Sequence, residues 1–407
     1  MSTKRILFIV RSFQHSSPQP IRFQKITSFL KEYYDIHILM LHHGKGEEVQ
    51  NEEGLTIHKL PYSKLGKLIN KEISHNTNSS TIQRKEGRTS LFKQILIKIK
   101  LRSIIFPDSL IFEIKRLRKK LKSLIVNHNY DIIVGSSFPH TILMLSATAK
   151  KVKPTVKWIH DLGDPLYSPR NGYRIRAILS YIYERNYSKH INSLVVTNTA
   201  TKEYYTERYK RYNNDNVHVV RQGADIEPYL ICSKVFSFPL KMVYAGTFYD
   251  RLREPFTLYK ALSKHNDTVV LDLYGQISKR HLPKTRTKNI VFWGSTPYNV
   301  ILEKYKNSDI VLFVDNAYGL QTPGKVFEVI ATQKPILCIY QNVNSASIEI
   351  FKKIPYVFVC DNSVESITET LKLMFEAIEN KTIKFDYNLL NLSWKKRAFE
   401  YRAIIEN

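Results

Sequence analysis

A lysine and a glutamate three residues apart follow an apolar run, in the stretch TPGKVFE. Thr322 suits the N-cap of a helix and Pro323 its first position, which would put Lys325 in the first helical turn. A cation there opposes the helix dipole, and a bound anion such as a nucleotide diphosphate would relieve that conflict. Gly324 leaves room for the anion near backbone N–H groups, and Glu328 can accept hydrogen bonds from ribose hydroxyls. The alternative is a surface Lys–Glu pair, worth about 0.2–0.5 kcal/mol.

Arginines and glycines form a second candidate anion-binding loop after the apolar run VYAG, which ends at Gly246. Arg251 and Arg253 follow it, and Pro255 precedes a helical stretch. Arginine binds phosphate oxygens through paired N–H groups, so a strand, a glycine and these arginines predict a phosphate site. Polar residues and glycines end other apolar runs as well, namely Asn198, Gly223, Asp225, Gly275 and Gly294.

Groups for acid–base chemistry stand in the first half of the chain, where His160, Asp161 and Asp164 follow an apolar run. An imidazole or a carboxylate at the end of a strand can orient an attacking hydroxyl or take its proton. Aspartates after strands also cap helices, and Asp164 before a proline can simply begin a turn. We keep His160 and Asp161 as catalytic candidates and Asp164 as a contact for an acceptor.

Two further residues are candidates for acceptor contact. His140 follows the letters SSFP after another apolar run, in a position like that of His160. Arg22 ends the loop RSFQHSSPQPIR, which begins at Arg11 and contains no glycine. Phosphate-binding first loops of doubly wound folds are glycine-rich. We therefore interpret this loop as contacting an acceptor.

Metal, disulfide and cofactor chemistry find no support in residue spacing. The three cysteines, Cys232, Cys338 and Cys360, lie far apart without a CxxC pair. The chain also shows no dense cluster of Asp and His in sequence. We therefore expect no metal, no disulfide and no cofactor, and a reducing compartment.

Basic residues dominate the composition, since 62 Lys and Arg against 36 Asp and Glu give the 407-residue chain a net charge of +26. Such an excess implies a polyanionic partner, namely nucleic acid, an anionic membrane or phosphorylated substrates. About half of it lies in residues 59–122, which hold 17 basic and 4 acidic residues. No nucleic-acid-binding module is recognisable, so we expect no nucleic-acid partner. The composition does not indicate an oligomeric state.

A basic amphipathic helix is predicted in that region, because apolar residues repeat at helical spacing from Leu110 to Leu124 while lysines and arginines fill the other faces. Such a helix can lie on anionic lipid, or it can be a surface helix with a solvated face. The polar stretch 71–90 predicts a mobile loop within a basic insertion at about 62–108. The first apolar run is too short for a signal peptide, and no run is long enough to span a bilayer. We expect a cytoplasmic protein, with peripheral attachment to the inner face of the membrane left open.

Two α/β units are expected to position these residues, because apolar runs typical of buried parallel strands alternate twice with helical stretches. A break near residues 221–240 separates the two series. We predict an N-terminal Rossmann-like domain over 1–225, a C-terminal one over 226–390, and a terminal helix over 391–407 that packs back toward the N-terminal domain. Open α/β sheets bind ligands at the carboxyl ends of their strands, so the candidate residues would face a cleft between the domains.

The ordered motifs resemble those of glycosyltransferases with the GT-B fold, in particular glycosyltransferase family 4. The C-terminal half contributes YAGTFYDRLREP, LDLYG, VFWGST and PGKVFEVIATQKP, and the N-terminal half contributes FPD, DIIVGSSFPH, WIHDLGDP and VVRQGAD. The resemblance covers nearly the whole chain and rests on the ordered set of motifs. It implies an α/β fold of two Rossmann-like, doubly wound domains that face each other across a cleft.

The resemblance also implies roles for the candidate residues. It places a nucleotide sugar mainly in the C-terminal domain and an acceptor mainly in the N-terminal one. Arg253 and Lys325 match the basic pair that neutralises the donor diphosphate, and Glu328 matches the carboxylate that binds the ribose. Such enzymes need no metal, because cations and helix N-termini stabilise the leaving group, and family 4 members retain anomeric configuration. The expected donor-binding residues are Gly246, Arg253, Gly275, Gly294, Thr322, Gly324, Lys325 and Glu328.

Two positions depart from the family pattern. Leu320 stands where many members have an acid eight residues before the second glutamate, and Gln222 replaces the usual asparagine before Gly223. Contacts to the donor sugar would then come from elsewhere, such as the backbone amides of residues 319–324. These departures leave the donor sugar more open than the class of reaction.

The sequence thus predicts an enzyme that moves a sugar from a nucleotide diphosphate sugar to a hydroxyl of a membrane-associated glycan or lipid-linked saccharide, in cell-envelope polysaccharide synthesis. One alternative is a catalytically inactive GT-B relative that acts as a scaffold in a glycan-assembly complex, which the Leu320 departure favours. A basic nucleic-acid-binding protein and a GT-B epimerase are further alternatives.

Overall fold

The computed structural model of the protein describes residues 3–15, 17–67, 105–166, 174–226, 236–265, 267–283, 288–317 and 322–407. The stretch 71–90, where a mobile loop is predicted, lies outside them, as do most of the basic insertion, Cys232, Gly319 and Leu320.

The chain divides into two compact units. The N-terminal unit comprises residues 1–197, 201–220 and 398–407, and the C-terminal unit comprises residues 198–200 and 221–397. The division falls just after Val220, a few residues before the boundary expected at 225. The residues that follow Val220 join the C-terminal unit because Ala224 N–H donates to Leu392 O at 2.8 Å and Gly223 packs against Trp394.

The N-terminal sheet contains eight strands, which are β1 (Arg5–Ile9), β2 (Asp35–His42), β3 (Glu48–Glu52), β4 (Leu55–Pro61), β5 (Ile132–Ser137), β6 (Lys157–Leu162), β7 (Ser193–Val196) and β8 (Val217–Val219). Their order is β3-β4-β2-β1-β5-β6-β7-β8. All neighbouring strands are parallel except β3 and β4, which are antiparallel. The central strands are apolar on both sides because helices cover both faces of the sheet.

Among the described residues are the α-helices α1 (Pro18–Leu30), α2 (Ile114–His128), α3 (Thr141–Val152), α4 (Arg174–Ser188), α5 (Thr199–Arg208), α6 (Phe256–Leu262), α7 (Tyr298–Lys306), α8 (Lys325–Ala331), α9 (Ala346–Phe351), α10 (Val364–Glu379) and α11 (Trp394–Glu406). None of these helices has the combination of length and apolarity that crossing a bilayer requires.

Alternate side chains of the N-terminal strands enter two separate cores, as the pleat of a strand dictates. Ile6 and Phe8 of β1 pack with α1 and α11, whereas Leu7 and Ile9 pack with α2 and α3. Helix α3 also contacts α4, so α2, α3 and α4 lie side by side on one face. The predicted basic helix is α2, which begins later than expected because Leu110 lies in a short 3-10 helix.

The last turns of α11 pack on the N-terminal unit. Lys4 Nζ donates to Glu406 Oε2 at 2.7 Å, and Lys157 Nζ donates to Ile404 O at 2.7 Å. Tyr401 and Ile405 enter the same core as α1. The helix therefore starts in the C-terminal unit and ends in the N-terminal one.

The C-terminal sheet contains six strands, which are β9 (Leu240–Ala245), β10 (Val269–Tyr274), β11 (Ile290–Gly294), β12 (Ile310–Val314), β13 (Ile336–Tyr340) and β14 (Val357–Asp361). They are all parallel, in the order β11-β10-β9-β12-β13-β14. Helices α7, α8 and α9 pack on one face, and α6 and α10 pack on the other.

In each sheet, successive strands are first added toward one edge and then, after one switch point, toward the other edge. This switch lies between β1 and β5 in the N-terminal sheet and between β9 and β12 in the C-terminal sheet. Loops that leave the carboxyl ends of such neighbouring strands diverge, and the space between them is where open α/β sheets bind ligands. The residues that follow β9 and β12 are therefore the first place to look for a site.

Candidate functional site

Three glycines meet at the carboxyl ends of β9, β10 and β11. Gly246 N–H donates to Tyr274 O at 2.9 Å, and Gly275 N–H donates to Gly294 O at 2.8 Å. Gly275 has φ +127°, and a Cβ atom there would lie 2.1 Å from Gly246 O. Glycine is the residue that tolerates such a backbone and so close an approach. Backbone hydrogen bonds thereby hold the three strand ends together. The glycines add no side chains at this carboxyl end of the sheet.

Helix α8 begins at Lys325, with Gly324 as its N-cap residue. The start is later than the one expected at Thr322 and Pro323, because Pro323 O accepts from Val326 N–H at 3.0 Å in a turn before the helix. The end of a helix contributes about 0.3–1 kcal/mol to an exposed charge. The full charges of the side chains around α8 therefore matter more than its dipole.

Lys325 reaches from α8 to the end of β9, where its Nζ donates a hydrogen bond to Ala245 O. The residue as a whole is exposed, but its amine end is crowded by protein atoms. Burial lowers the pKa of Lys325, the Glu328 carboxylate raises it and the Arg253 guanidinium lowers it again. Two cations thus share a desolvated position, and this concentration of positive charge is what a diphosphate requires.

The Glu328 carboxylate does not pair with Lys325. Its Oε1 is buried and has no hydrogen-bond partner in the described structure, while the Lys325 amine is bound to Ala245 O. Burial raises the pKa of Glu328, Lys325 lowers it and Asp225 raises it. The geometry contradicts the interpretation as an ordinary surface ion pair. It leaves a carboxylate oxygen that can accept a hydrogen bond from a hydroxyl group.

Two more buried polar atoms, Arg253 Nε and Thr322 Oγ1, have no hydrogen-bond partner among the described residues. The Arg253 side chain lies beside Tyr244, Asp315 and Lys325, and it lowers the pKa of each. Most buried polar atoms in proteins are hydrogen-bonded. Because Arg253 Nε and Thr322 Oγ1 lie near the carboxyl end of a parallel sheet, we interpret them as candidate contacts for a polar ligand.

Asp315 is a site residue that the sequence analysis missed. It directly follows β12, is 1% exposed and accepts a hydrogen bond from Ser345 Oγ. Burial raises the pKa of Asp315, and the Ser345 hydrogen bond and the Arg253 charge lower it. Its position after a continuous apolar run was the available signal. Because its charge faces Arg253, we assign Asp315 as a positioning residue for that guanidinium.

An aromatic surface lies next to the glycines, at the end of β11. Trp293 is 58% exposed and stacks on Tyr274, with ring centroids 6.2 Å apart and an angle of 8° between the planes. Its Nε1 donates to Asp272 Oδ1 at 2.7 Å, which fixes the indole. Exposed aromatic faces bind nucleobases by stacking. The sequence analysis did not single out Trp293.

His160 and Asp161 both lie inside β6 and not in the loop after it, and each is 1% exposed. His160 Nε2 lies 2.8 Å from Ser137 Oγ of β5. Burial and, to a lesser extent, the charge of His140 lower the pKa of His160 to about 3. The imidazole is therefore neutral near pH 7. A group with so low a pKa is a weak general base.

Asp161 points to the other face of the sheet and forms a buried ion pair with Arg22. Arg22 Nη2 lies 3.1 Å from Asp161 Oδ2 and donates to Val220 O at 2.9 Å, and Arg22 is itself 1% exposed. Burial raises the pKa of Asp161, and Arg22 lowers it. Removing one partner of such a pair costs about 3–5 kcal/mol. These contacts join α1 to β6, so we interpret both residues as structural.

His140 and Asp164 lie in the loops after β5 and β6. Gly163 N–H donates to Ser137 O at 3.1 Å, which brings the two loops together. Burial lowers the pKa of His140 to about 4, and burial alone raises the pKa of Asp164 to about 6. The pKa of Asp164 lies nearer to neutrality than those of His140 and His160. Asp164 becomes the best candidate for a general base or an orienting group.

The described residues contain one group of three possible metal ligands, His37, His58 and His128, and it lies outside both candidate regions. Around Lys325 and Glu328, the described side chains supply cations and hydrogen-bond acceptors. That set fits a phosphorylated, hydroxyl-bearing ligand better than it fits a metal ion.

Comparison with solved structures identifies the fold. HepE from Anabaena, in complex with UDP and glucose, matches with a TM-score of 0.60 and 10% identity over 99% of each chain. The apo form of WaaB, a lipopolysaccharide outer core galactosyltransferase, matches with a TM-score of 0.60 and 9% identity over 99% of this chain and 100% of that one. Apo OtsA matches with a TM-score of 0.65 and 9% identity over 100% and 99% of the two chains. The chain has the GT-B fold.

Sequence comparison adds a family match to the fold. The family model described as Glycosyltransferase Family 4 matches residues 84–228. That segment contains His140, His160, Asp161 and Asp164, and it ends before Gly246. A comparison with curated protein sequences finds no significant match. The family match and the GT-B fold together support a glycosyltransferase.

Proposed function

We propose that this GT-B protein transfers a sugar from a nucleotide diphosphate sugar to a hydroxyl of a membrane-associated glycan or lipid-linked saccharide, in cell-envelope polysaccharide synthesis. The observation that carries the proposal is the geometry of Lys325 and Glu328. Their side chains stand three residues apart on one helix and do not pair, although an ordinary surface pair at this spacing would. The Lys325 amine lies instead at the end of β9 near Arg253, and Glu328 Oε1 is buried without a hydrogen-bond partner among the described residues.

The donor side of the proposal assigns one part of the ligand to each group. Arg253 and Lys325 bind the diphosphate, and Glu328 accepts hydrogen bonds from the ribose. We assign the base to Trp293, whose indole is 58% exposed and whose ring also has Lys304 Nζ at 6.0 Å from its centroid. Because HepE was solved with UDP and glucose, we propose UDP-sugars as the first donors to examine.

The chemical step breaks the bond between the anomeric carbon and the diphosphate oxygen and forms a bond from that carbon to the acceptor oxygen. Negative charge develops on the departing diphosphate, and the cations of Arg253 and Lys325 stabilise it in a water-poor position. These side chains supply the stabilisation for which a metal would otherwise be needed. The acceptor hydroxyl loses its proton, and we assign Asp164 to orient that hydroxyl or take the proton. Retention of anomeric configuration is part of the proposal, as the resemblance to family 4 implies.

The membrane part of the proposal rests on α2 and α4, two helices of the N-terminal unit that each contact α3 on the same side of the sheet. Lys115, Lys119 and Lys122 of α2 are exposed, on one face of the helix. Helix α4, on the same side of the sheet, exposes four aliphatic side chains at helical spacing, namely Ile175, Ile178, Leu179 and Ile182. Cations beside an outward-facing apolar ridge are typical of surfaces that lie on anionic lipid. Such attachment at the inner face of the membrane would bring the enzyme to a lipid-linked acceptor.

The donor assignment is tested by titrating the purified protein with UDP, UDP-glucose and other nucleotide sugars while binding is measured by calorimetry. Lys325→Ala and Glu328→Gln should each weaken binding about 10–100-fold, since a hydrogen bond to a charged group contributes about 1.5–3 kcal/mol. The matched control is the exposed pair Lys353–Glu349, whose atoms lie 3.3 Å apart. Lys353→Ala and Glu349→Gln should leave binding unchanged.

The outcome that contradicts the donor assignment is failure to bind any nucleotide sugar, or binding that Lys325→Ala and Glu328→Gln leave at the wild-type level. Nucleotide binding without sugar transfer to any lipid-linked acceptor would instead favour the inactive scaffold. Transfer is followed by incubating the protein with a labelled nucleotide sugar and extracted lipid-linked saccharides.

A further inference from the structure

Three histidines from separate parts of the sequence converge in the N-terminal unit. His37 belongs to β2, His58 belongs to the neighbouring strand β4, and His128 is the last residue of α2. One ligand nitrogen from each lies within 4.8 Å of the others. The sequence analysis found no such cluster, because strand pairing and the packing of α2 create it. Neither the donor residues nor the acceptor candidates contribute to it.

The spacing of the nitrogens is close to that of a metal site. His37 Nδ1 and His58 Nε2 lie 3.1 Å apart, and the His37 and His128 ring centroids lie 4.9 Å apart. Zinc–nitrogen bonds of about 2.0–2.1 Å in tetrahedral geometry place ligand nitrogens roughly 3.3 Å from one another. Small side-chain rotations, greatest for the outermost residue His128, would bring all three nitrogens to that distance.

Hydrogen bonding among the protein atoms leaves the cluster unsatisfied. His37 Nδ1 has two polar neighbours, Tyr130 Oη at 2.8 Å and His58 Nε2 at 3.1 Å. A neutral imidazole nitrogen offers either one hydrogen or one lone pair, so the two neighbours compete for it. A metal ion that takes the lone pairs of both rings would remove this competition.

A carboxylate is in place behind the cluster. His37 Nε2 lies 3.4 Å from Asp35 Oδ1, and Asp35 Oδ2 is fixed by Arg5 Nε at 2.5 Å. Histidines that bind a metal through one nitrogen commonly donate the other N–H to a carboxylate, which sets the tautomer and strengthens the ligand. Asp35 is positioned to select the tautomer of His37 whose Nδ1 carries the free lone pair.

The cluster lies at the edge of the core and can be reached from solvent. His37 is 6% exposed and His58 is 3% exposed. His128 is half-buried, so the cluster meets solvent on its side. A metal ion could enter there without opening the core.

We propose that His37, His58 and His128 bind one divalent transition-metal ion, with Zn²⁺ the first ion to test. Imidazole ligands suit zinc, nickel and copper, and three of them leave a further coordination position for water. Bound metal would link β2, β4 and α2, and it would therefore stabilise the N-terminal unit. The site is independent of the proposed transfer reaction, and its test does not use activity.

The experiment uses the full chain, freed of any affinity tag and treated with a chelator. Zn²⁺ alone is titrated by calorimetry, and Co²⁺ is titrated by visible absorption, which reports its coordination geometry. The wild type should bind one equivalent and melt at a higher temperature in the presence of Zn²⁺. His128→Ala, at the most exposed ligand, should weaken binding at least about 100-fold, and Asp35→Asn should weaken it about 10-fold or more.

The control addresses another possible source of metal binding, the adjacent pair His42 and His43. His43 is exposed, and His43→Ala should leave both the affinity for Zn²⁺ and the Co²⁺ spectrum unchanged. The proposal is overturned if the wild type binds no equivalent of Zn²⁺, or if His43→Ala abolishes binding. It is equally overturned if a folded His128→Ala variant, checked by circular dichroism, binds as tightly as the wild type.

Discussion

Lys325 and Glu328 sit in environments that disfavour their charged forms, because burial lowers the pKa of the amine and raises that of the carboxylate. Two such groups would ordinarily gain by pairing with each other. Here Ala245 O takes the amine, and Glu328 Oε1 stays without a partner. A diphosphate beside Lys325 and a ribose hydroxyl on Glu328 would supply the missing interactions. We therefore expect both groups to contribute to the affinity for the proposed donor.

At the same scale, Asp164 makes the pH dependence of the proposed reaction predictable. Burial raises its pKa to about 6, and a carboxylate that orients or deprotonates the acceptor acts in its ionised form. We expect kcat/KM to fall as the pH drops through about 6 and to level off above it. Asp164→Asn should lower the rate about 10²–10⁴-fold and remove this inflection. Initial rates measured at saturating donor between about pH 5 and pH 8 provide the check.

Asp215→Asn is the matched control, since Asp215 is an exposed aspartate of the same unit. It should keep the wild-type profile. If Asp164→Asn retains both the rate and the inflection, the assignment of Asp164 fails, and the inflection must come from another group. His160 would not replace it, because the pKa of His160, about 3, lies far below this range.

At the scale of elements, the predicted α/β fold of parallel sheets is confirmed, because buried strands are continuous apolar runs. Strand β12, for example, is the uninterrupted apolar run Ile310–Val314. Strand β3 was missed because it lies at a sheet edge, is largely exposed and has the polar sequence EVQNE. Strand β4 was missed because His58 and Lys59 interrupt its apolar pattern.

The candidate site was predictable only in part, for a related reason. Lys325, Glu328 and Arg253 could be proposed because each follows a strand in a recognisable local context. The contact of Asp315 with Ser345, the partner that Lys325 finds in Ala245, and the meeting of His37 with His128 depend on strand order and helix packing. Local sequence does not encode such long-range pairings. For the same reason, the local sequence could not show that Asp161 forms a buried ion pair with Arg22.

Backbone geometry at the mouth of the C-terminal sheet leads to a prediction about its glycines. Gly275 combines a positive φ with a Cβ position 2.1 Å from Gly246 O, whereas Gly294 has φ +79° and open space around it. Gly294→Ala should therefore cost about 1–2 kcal/mol for the left-handed backbone alone. Gly275→Ala should cost more, because β9 and β10 must also move apart. It should also weaken nucleotide binding, since the strand ends shape the proposed site.

Urea unfolding of the two variants and the wild type measures these losses. Gly294→Ala serves as the control for strain without a steric clash. Equal losses of stability in the two variants would contradict the close approach of Gly275 to Gly246 as the reason for glycine at that position. Unchanged affinity of Gly275→Ala for UDP-sugars would separate these glycines from the proposed donor site.

At the scale of the whole molecule, the net charge of +26 implies a polyanionic partner. A nucleotide sugar needs only a few cations, which Arg253 and Lys325 supply. Most of the remaining excess lies elsewhere, and in the described residues the cations of α2 are the densest stretch. Two of its six cations are used within the protein, Arg116 with Glu113 and Lys120 with Glu47. Lys115, Lys119 and Lys122 stay exposed on the side of the sheet where α4 carries its exposed aliphatic side chains, which favours a lipid surface over a purely solvated face.

This arrangement predicts how the protein should bind vesicles. Binding to vesicles that contain anionic lipid should exceed binding to neutral vesicles and should weaken as salt rises. Replacing Lys115, Lys119 and Lys122 together with serine removes about 1 kcal/mol each, so affinity for anionic vesicles should fall roughly 100-fold. The double variant Ile178→Ser, Ile182→Ser should weaken binding at high salt as well, because the contacts that it removes are apolar and are not screened by salt. Co-sedimentation with vesicles of defined composition measures all of these.

Leu373→Ser is the control, because Leu373 is 54% exposed and belongs to α10 of the C-terminal unit, away from α2 and α4 in the sequence. It should bind vesicles as the wild type does. Two different results bear on the two helices separately. If the lysine variant loses the salt dependence but still binds at high salt, electrostatic attraction is assigned to α2. If the isoleucine variant keeps the salt dependence but loses binding at high salt, insertion into the membrane is assigned to α4. Equal binding of the wild type to neutral and anionic vesicles would remove the membrane surface from the proposal and would leave the nucleotide site of the C-terminal unit untouched.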